Sequence, residues 1–111
     1  MKYSIILSNN ERSYEYLKLL ISEKKYPNFI IHLDYKINNK SKNKIFSIIK
    51  KKKLNFKSFK GNSVDQRNIK KFLINLRDNI LVYSGYSAKI IKNKSIFKKK
   101  SFIIFSYGKI T

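Results

Sequence analysis

The stretch Lys2–Glu11, KYSIILSNNE, decides how this chain begins to fold. Its first part, Lys2–Leu7, is a short apolar run of the length expected for a buried β-strand. Ser8–Asn10 follows, made only of residue types that cap helices, and Glu11 stands three positions after Ser8 as in a capping box. The stretch therefore predicts a strand, a tight loop and a helix, in that order.

The same order of elements continues along the rest of the chain. Apolar residues at helical spacing alternate with short apolar runs, and turn-forming residues separate them. The predicted strands are Lys2–Leu7, Phe29–Leu33, Leu54–Phe59, Ile80–Ser84 and Phe102–Phe105. The first predicted helix ends before Pro27, and the second covers Ile45–Lys53 after a polar loop at Lys36–Lys44. The third covers Ile69–Leu76 and follows a capping box at Ser63 and Gln66. The fourth lies within Ser87–Phe97.

An alternation of strands and helices demands parallel strands joined by right-handed helical crossovers. We therefore expect an α/β fold, a three-layer sandwich whose parallel five-stranded sheet is of Rossmann-like type with strand order 3-2-1-4-5. Ligands of such sheets bind at the carboxyl ends of the strands, near the point where the strand order reverses. That point lies between strands one and four, so the topology alone makes Ser8–Asn10 and Gly85–Ser87 candidate site segments.

Length and composition bound the class of protein. A chain of 111 residues fits one domain, and its apolar fraction of 42% supplies enough buried surface for folding. The absence of cysteine excludes a disulfide framework, a thiol nucleophile and thiolate metal sites, and it fits a reducing cytoplasm. No apolar run approaches the roughly 20 residues that span a bilayer, and Met1–Leu7 is typical of a strand and not of a signal peptide. We expect a cytoplasmic protein without a transmembrane segment.

The formal net charge of +20 suggests contact with polyanions, because lysines that neutralise phosphates release counterions. Arg12, Arg67 and Arg77 are the only arginines, although specific phosphate and groove recognition favours the planar guanidinium. The lysines are spread along the chain among isoleucines and asparagines, a composition that A/T-rich codons produce on almost any fold. The charge therefore predicts nonspecific attraction to nucleic acid or another polyanion at low salt.

Familiar catalytic and nucleotide-binding motifs do not occur in the sequence. Ser8–Glu11 stands where a glycine-rich dinucleotide loop would follow the first strand, and no phosphate-binding P-loop is present. The single histidine, His32, lies inside an apolar run, which favours a satisfied or partly exposed structural side chain over a catalytic one. Asp34 ends the second strand as a phosphate-accepting aspartate would, but the first strand is not followed by the paired acidic residues that bind Mg²⁺. We expect no metal site.

Two segments near the end of the sequence carry a resemblance to a known family. Asp78–Tyr86, DNILVYSGY, resembles the segment of folate-dependent formyltransferases in which an aspartate, an apolar run, a glycine and a tyrosine follow one another. Ile104–Thr111, IFSYGKIT, is similar to the N-x-H-x-[SG]-x-L-P segment of the same family. The opening strand, polar loop and helix, followed by Pro27–Ile31, also match in order, so the resemblance extends over essentially the whole chain.

The resemblance implies a single N-terminal formyltransferase-like α/β domain over residues 1–111, incomplete at its C-terminus. In this family an amine attacks the formyl group of 10-formyltetrahydrofolate, and the acceptor here would be a small-molecule amine or an amino sugar. The implied cofactor contacts are Gly85, Tyr86, Ser87 and Gly108, and the implied acceptor contacts are Ser8, Asn9 and Asn10.

The chain departs from the family at the residues that stabilise the developing oxyanion. Ile104 occupies the position of the family's asparagine and Ser106 that of its histidine, so Ser106 is the candidate catalytic residue. The family's catalytic aspartate would follow Thr111. Two interpretations stay open: a truncated or degenerate formyltransferase-like domain, or an unusual member that uses Ser106 and Lys109 on a sugar amine.

A different class of function is a non-catalytic basic α/β module that binds nucleic acid or another polyanion through exposed lysines. Gly85 and Gly108 would then be turn residues without a ligand. The free side of strand five could pair with a missing C-terminal segment or with a second copy of the chain, since an unpaired apolar edge favours association.

Overall fold

Strands and helices alternate in a computed structural model of the chain, which describes residues 2–34, 39–61, 66–76, 80–83 and 101–104. The strands are β1 (Ser4–Ser8), β2 (Phe29–Leu33), β3 (Phe56–Phe59), β4 (Ile80–Tyr83) and β5 (Ser101–Ile104). The helices are α1 (Glu11–Ser22), α2 (Asn39–Lys52) and α3 (Arg67–Ile74). The helix predicted within Ser87–Phe97 lies outside the described residues.

The strands pair in parallel, in the order β3-β2-β1-β4-β5. Ile5 of β1 lies opposite Ile30 of β2 on one side and Val82 of β4 on the other. Because β1 and β4 are parallel neighbours, the chain leaves both strands at the same edge of the sheet. The predicted α/β class with a parallel sheet is confirmed.

One face of the sheet packs against α1 and α2. Alternate residues of β1 and β2 point to this face, where they meet the apolar stripes of the two helices. The buried members of this cluster are Tyr3, Ile5, Leu7, Leu17, Ile30, Ile45, Ile49 and Val82. Of the apolar residues at helical spacing in these two helices, Leu17, Ile45 and Ile49 are buried, whereas Leu20, Ile21 and Ile48 are partly buried.

The opposite face packs against α3. The intervening residues of the same strands, Ile6, Ile31 and Leu33, form a second cluster with Ile69 and Leu73 of this helix. Helices therefore cover both faces of β1 and β2, which explains why these strands are apolar along nearly their whole length. β3 lies at the edge of the sheet, and only Phe59 of its residues is buried.

The helix caps differ from those that the sequence predicts. Asn10, not Ser8, is the N-cap of α1, and its side-chain oxygen accepts a hydrogen bond from the Ser13 backbone N–H at 2.8 Å. Ser8 instead stays in β1 opposite Leu33 of β2, because parallel pairing extends to the last residue of the strand. α3 begins after Gln66, which makes no side-chain cap bond, and Ser63 lies outside the described residues.

Two turns outside the strands place lysine in the left-handed region of backbone conformation. Lys24 follows α1 with φ of 57°, and Lys53 follows α2 with φ of 54°. Lys24 donates its backbone N–H to Ile21 at 3.0 Å and so closes the last turn of α1. Glycine is the usual residue at this position, and lysine therefore adopts it at a steric cost.

Among the described residues, no helix is both long and apolar enough to pass through a lipid bilayer.

Candidate functional site

Polar side chains gather where β1 and β2 end. Asn9 follows the last residue of β1 directly, and Asp34 follows the last residue of β2. Because the two strands are parallel neighbours, both residues lie at the same edge of the sheet. The side-chain nitrogen of Asn9 donates a hydrogen bond to Asp34 Oδ1 at 2.6 Å.

His32 extends this contact into the interior of the protein. Its Nε2 atom lies 2.5 Å from Asn9 Oδ1, and its Nδ1 atom lies 2.8 Å from the Ser58 hydroxyl of β3. Lys42 Nζ, from α2, reaches Asp34 Oδ2 at 3.0 Å. A continuous series of hydrogen bonds, the edge network, therefore joins Ser58, His32, Asn9, Asp34 and Lys42 across three elements.

The protonation of His32 follows from its partners. Asn9 donates to Asp34 with its amide nitrogen and presents its oxygen to His32, so the hydrogen of the ring must be on Nε2. Nδ1 is then the acceptor of the Ser58 hydroxyl hydrogen. The ring has no exposed surface, and burial lowers the pKa of His32, while Asp34 opposes this change and Lys42 adds to it. His32 is therefore a neutral imidazole with both nitrogens hydrogen-bonded.

Asp34 carries the negative charge of the edge network. The hydrogen bond from Lys42 is the main reason that the pKa of Asp34 lies below its ordinary value, and the bond from Asn9 acts in the same direction. The side chains of Lys42 and Asp34 keep 30% and 24% of their surface exposed, so the charged end of the network meets solvent, whereas His32 in its middle is fully buried.

The loop after β1 is fixed from its other side by α1. The backbone N–H of Ser8 donates to Ser13 Oγ at 2.9 Å, and Ser13 in turn donates its backbone N–H to the Asn10 cap. Ser8 is 1% exposed, and its own hydroxyl has no hydrogen-bond partner among the described residues. These contacts hold the loop in one conformation, and they leave the buried Ser8 hydroxyl at the end of β1 without a described hydrogen-bond partner.

A second polar contact joins α1 and α2 near the same edge. Glu11, at the start of α1, accepts a hydrogen bond from the Ser41 hydroxyl at 3.1 Å and pairs with Lys44 Nζ at 3.5 Å. Its position in the first turn also favours the helix dipole. These contacts fix the two helices relative to each other beside the loop.

Of the residues predicted to contact an acceptor, Ser8, Asn9 and Asn10 lie together at this edge. Asn9 is 5% exposed and turns its amide inward to His32 and Asp34, whereas Asn10 is half-buried and caps α1. Gly85, Tyr86, Ser87, Ser106 and Gly108 lie outside the described residues.

Of the two alternatives predicted for the histidine, a satisfied or a partly exposed side chain, the structure shows the first. His32 is fully buried and both of its ring nitrogens have a hydrogen-bond partner. Sequence reasoning did not connect it with Asn9, Asp34 and Ser58. These contacts could be inferred only from the register of β2 with its two neighbouring strands, because His32 lies opposite both Leu7 of β1 and Ser58 of β3.

The edge network is built from hydrogen bonds and the ion pair of Lys42 with Asp34. Within the described ranges, no three histidine or acidic side chains are grouped to hold a metal ion. No family model matches the chain, and no curated protein matches it significantly. The function is therefore proposed from the contacts at this edge together with the resemblance of the sequence.

Proposed function

We propose that this chain is a formyltransferase-like domain with a five-stranded, Rossmann-like parallel sheet, which transfers a formyl group from 10-formyltetrahydrofolate to an amine. The resemblance of Asp78–Tyr86 and Ile104–Thr111 to the family's segments motivates the reaction. The observation that supports the location is the buried Ser8 hydroxyl, which has no partner among the described residues at the end of β1. A buried hydroxyl without a partner costs about 1–3 kcal/mol, so a polar ligand that satisfies it gains that energy.

The proposed chemistry needs a rigid acceptor site. The amine would attack the formyl carbon and lose its proton to a base, and the bond to the folate nitrogen would break as that nitrogen takes up a proton. Negative charge develops on the formyl oxygen, and Ser106 would donate to it where the family has histidine. The edge network contributes indirectly, because it fixes Asn9 and with it the loop that carries Ser8 and Asn10.

Calorimetry tests the proposal with a hydrolytically stable formyl-folate analogue and the purified chain. We expect saturable binding that is lost in Gly85→Val, whose side chain would fill the implied cofactor contact. Formyl transfer to a panel of amines and amino sugars, followed by mass spectrometry, then identifies the acceptor. Ser8→Ala should weaken acceptor binding and leave the folate affinity unchanged, while Ser47→Ala, exposed on α2, should change neither. A chain that does not bind the analogue at millimolar concentration would refute the assignment.

A second candidate function is a basic module that binds polyanions without catalysis. The distribution of charge favours it, because the described acidic residues lie in α1, at its C-cap Glu23 and directly after β2 at Asp34. Within the described residues 56–61 and 66–76, the charged side chains are all cations: Lys57, Lys60, Arg67, Lys70 and Lys71. Binding that disappears as salt is added and persists in Gly85→Val would favour this function over formyl transfer.

A further inference from the structure

An open groove lies between the edge strand β3 and α3, on the face of the sheet away from α1 and α2. Its volume is about 540 Å³. The lining residues are Lys57, Phe59, Asn68, Lys71, Phe72 and Asn75. None of them belongs to the edge network or to the residues predicted for formyl transfer.

The sequence produces this groove through two periodicities. Asn68, Lys71, Phe72 and Asn75 stand at i, i+3, i+4 and i+7 and therefore form one stripe along α3. This stripe adjoins the buried stripe of Ile69 and Leu73, so it lies at the margin of the core. Lys57 and Phe59 alternate onto the same face of β3, and the two sets meet at the edge of the sheet.

Two aromatic rings form the floor of the groove. The centroids of Phe59 and Phe72 lie 5.2 Å apart with an interplanar angle of 62°. Phe59 is buried, whereas Phe72 is half-buried and keeps part of its surface in the groove. The Lys57 ammonium lies 5.6 Å from the centroid of Phe59 and 5.5 Å from that of Phe72, where the π-systems attract a cation.

The polar groups above this floor suit an anion. Lys57 and Lys71 are exposed, and neither forms an ion pair with a described carboxylate. Asn68 and Asn75 are exposed at the two ends of the stripe, and each amide has both donor and acceptor atoms. The described lining residues thus combine ammonium groups, amides and aromatic surface, and none of these residues is acidic.

Two further grooves lie between α1 and α2, and Tyr14 lines both of them. The one that Lys44 also lines is called the α1–α2 groove. There Tyr14 lies beneath Lys44, with the ammonium 4.9 Å from the ring centroid. Lys44, however, is already paired with Glu11. An anion would have to compete with that carboxylate in the α1–α2 groove. The second groove is lined by Lys18, Lys51 and Lys52, but its described lining offers a single aromatic ring and no side-chain amide, unlike the β3–α3 groove.

We propose that the β3–α3 groove binds a nucleoside phosphate unit of single-stranded nucleic acid. The base lies against the exposed part of Phe72, the amides of Asn68 and Asn75 bond its edges, and Lys57 and Lys71 bind the adjoining phosphates. Stacking on an aromatic ring tolerates every base, and lysine binds phosphate as a point charge. The proposal deepens the polyanion-binding function by locating its site, and it does not depend on formyl transfer.

Fluorescence anisotropy tests the proposal with a labelled homo-oligonucleotide of roughly 8 nucleotides, within the usual site size of such proteins. Inorganic polyphosphate of matched charge is the control ligand that has phosphates but no bases. A mononucleotide is the control ligand that has a base but no neighbouring nucleotides. We expect the oligonucleotide to bind more tightly than polyphosphate. A mononucleotide that binds equally well would identify a free nucleotide as the occupant of the same groove.

Paired variants separate the groove from general charge. Phe72→Leu keeps an apolar side chain but removes the ring, and we expect the oligonucleotide affinity to fall roughly five- to a hundredfold. Tyr14→Leu, in the α1–α2 groove, is its aromatic control and should leave the affinity unchanged. Amide chemical shifts of Asn68 and Asn75 should move on binding, while those of α2 should not.

The charge test uses two double variants that remove the same number of lysines. Lys57→Gln with Lys71→Gln should lower the salt dependence of binding by about 1.4 in log–log slope, as expected for two contacts to a single strand. Lys51→Gln with Lys52→Gln, on α2, should leave that slope unchanged. Urea unfolding of each variant verifies that it is folded. Equal effects of the two pairs, an unchanged affinity of Phe72→Leu, or polyphosphate binding as tight as that of the oligonucleotide would overturn the proposal.

Discussion

His32 donates its Nε2 hydrogen to the side-chain oxygen of Asn9, and the two atoms are 2.5 Å apart in the interior of the protein. The same Asn9 amide donates to Asp34, so one side chain joins the buried histidine to the exposed carboxylate. Asn9 and Asp34 directly follow β1 and β2, and His32 is the last residue but one of β2. The loop that follows β1 therefore owes its position to a contact with β2.

Asn9→Leu should be strongly destabilising, although leucine has nearly the same size. The change leaves the Nε2 hydrogen of His32 without an acceptor in a site with no solvent access. A buried unsatisfied donor costs about 1–3 kcal/mol, and the lost bond to the ionised Asp34 adds to this. Urea unfolding measures the difference. Asn43→Leu, at an exposed position of α2, is the control and should change the free energy of unfolding by less than about 0.5 kcal/mol.

The stability of the chain should fall as the pH drops from about 7 to about 5. Burial lowers the pKa of folded His32 below its ordinary value of about 6.5, so the unfolded chain takes up a proton at this position first. Protonation then favours the unfolded state until the folded pKa is reached. The contribution of Asp34, whose folded pKa is also lowered, is lost only below about pH 4 and does not overlap with this window.

Urea midpoints recorded across the pH range measure the histidine effect. The wild-type protein should show a lower midpoint at about pH 5 than at about pH 7, because the unfolded state binds more protons there. His32→Gln retains a polar side chain that does not titrate, and its midpoint should vary less over the same range. Identical pH profiles for the two proteins would show that another group is responsible.

The order of strands and helices could be predicted because each element carries its own pattern. Phe29–Leu33 is predicted and observed as a strand with the same bounds, and the apolar spacing of α3 correctly predicts that Ile69 and Leu73 are buried. The capping box predicted for Ser8 and Glu11 is wrong, although Asn10, which caps α1, is also one of the predicted capping residue types. Ser8 is a residue type that caps helices, but its pairing with Leu33 keeps it in the strand.

The site was less predictable, since its contacts join distant parts of the chain. His32 and Asn9 are separated by 23 positions, and Asp34 and Asn9 by 25. The topology predicted that Ser8–Asn10 would lie at the carboxyl edge of the sheet, and it does. The inward direction of the Asn9 amide depends on the register between β1 and β2. The amino-acid composition of the two strands does not determine that register.

Leu73→Ala should cost about 2–5 kcal/mol of folding free energy, because it leaves a cavity where α3 packs on the sheet. Leu73 has no exposed surface and belongs to the cluster of Ile6, Ile31 and Ile69. Leu19→Ala removes the same atoms from a side chain that is 57% exposed on α1, and should cost well under half as much. Chemical denaturation of both variants makes the comparison. Similar losses would mean that α3 does not cover this face of the sheet in solution.

Lys24→Gly should stabilise the protein even though it removes a side chain and adds backbone freedom to the unfolded state. Lys24 has φ of 57° after α1, where an L-residue with a Cβ atom is strained and glycine is not. We expect a gain of about 0.5–1 kcal/mol, and a similar gain for Lys53→Gly, with φ of 54° after α2. Lys51→Gly is the control for which we expect the opposite change: Lys51 lies within α2, so glycine there should lower the free energy of unfolding by about 1 kcal/mol. Thermal and urea unfolding of the three variants measure these changes. If Lys24→Gly loses as much stability as Lys51→Gly, the backbone at the end of α1 is not strained.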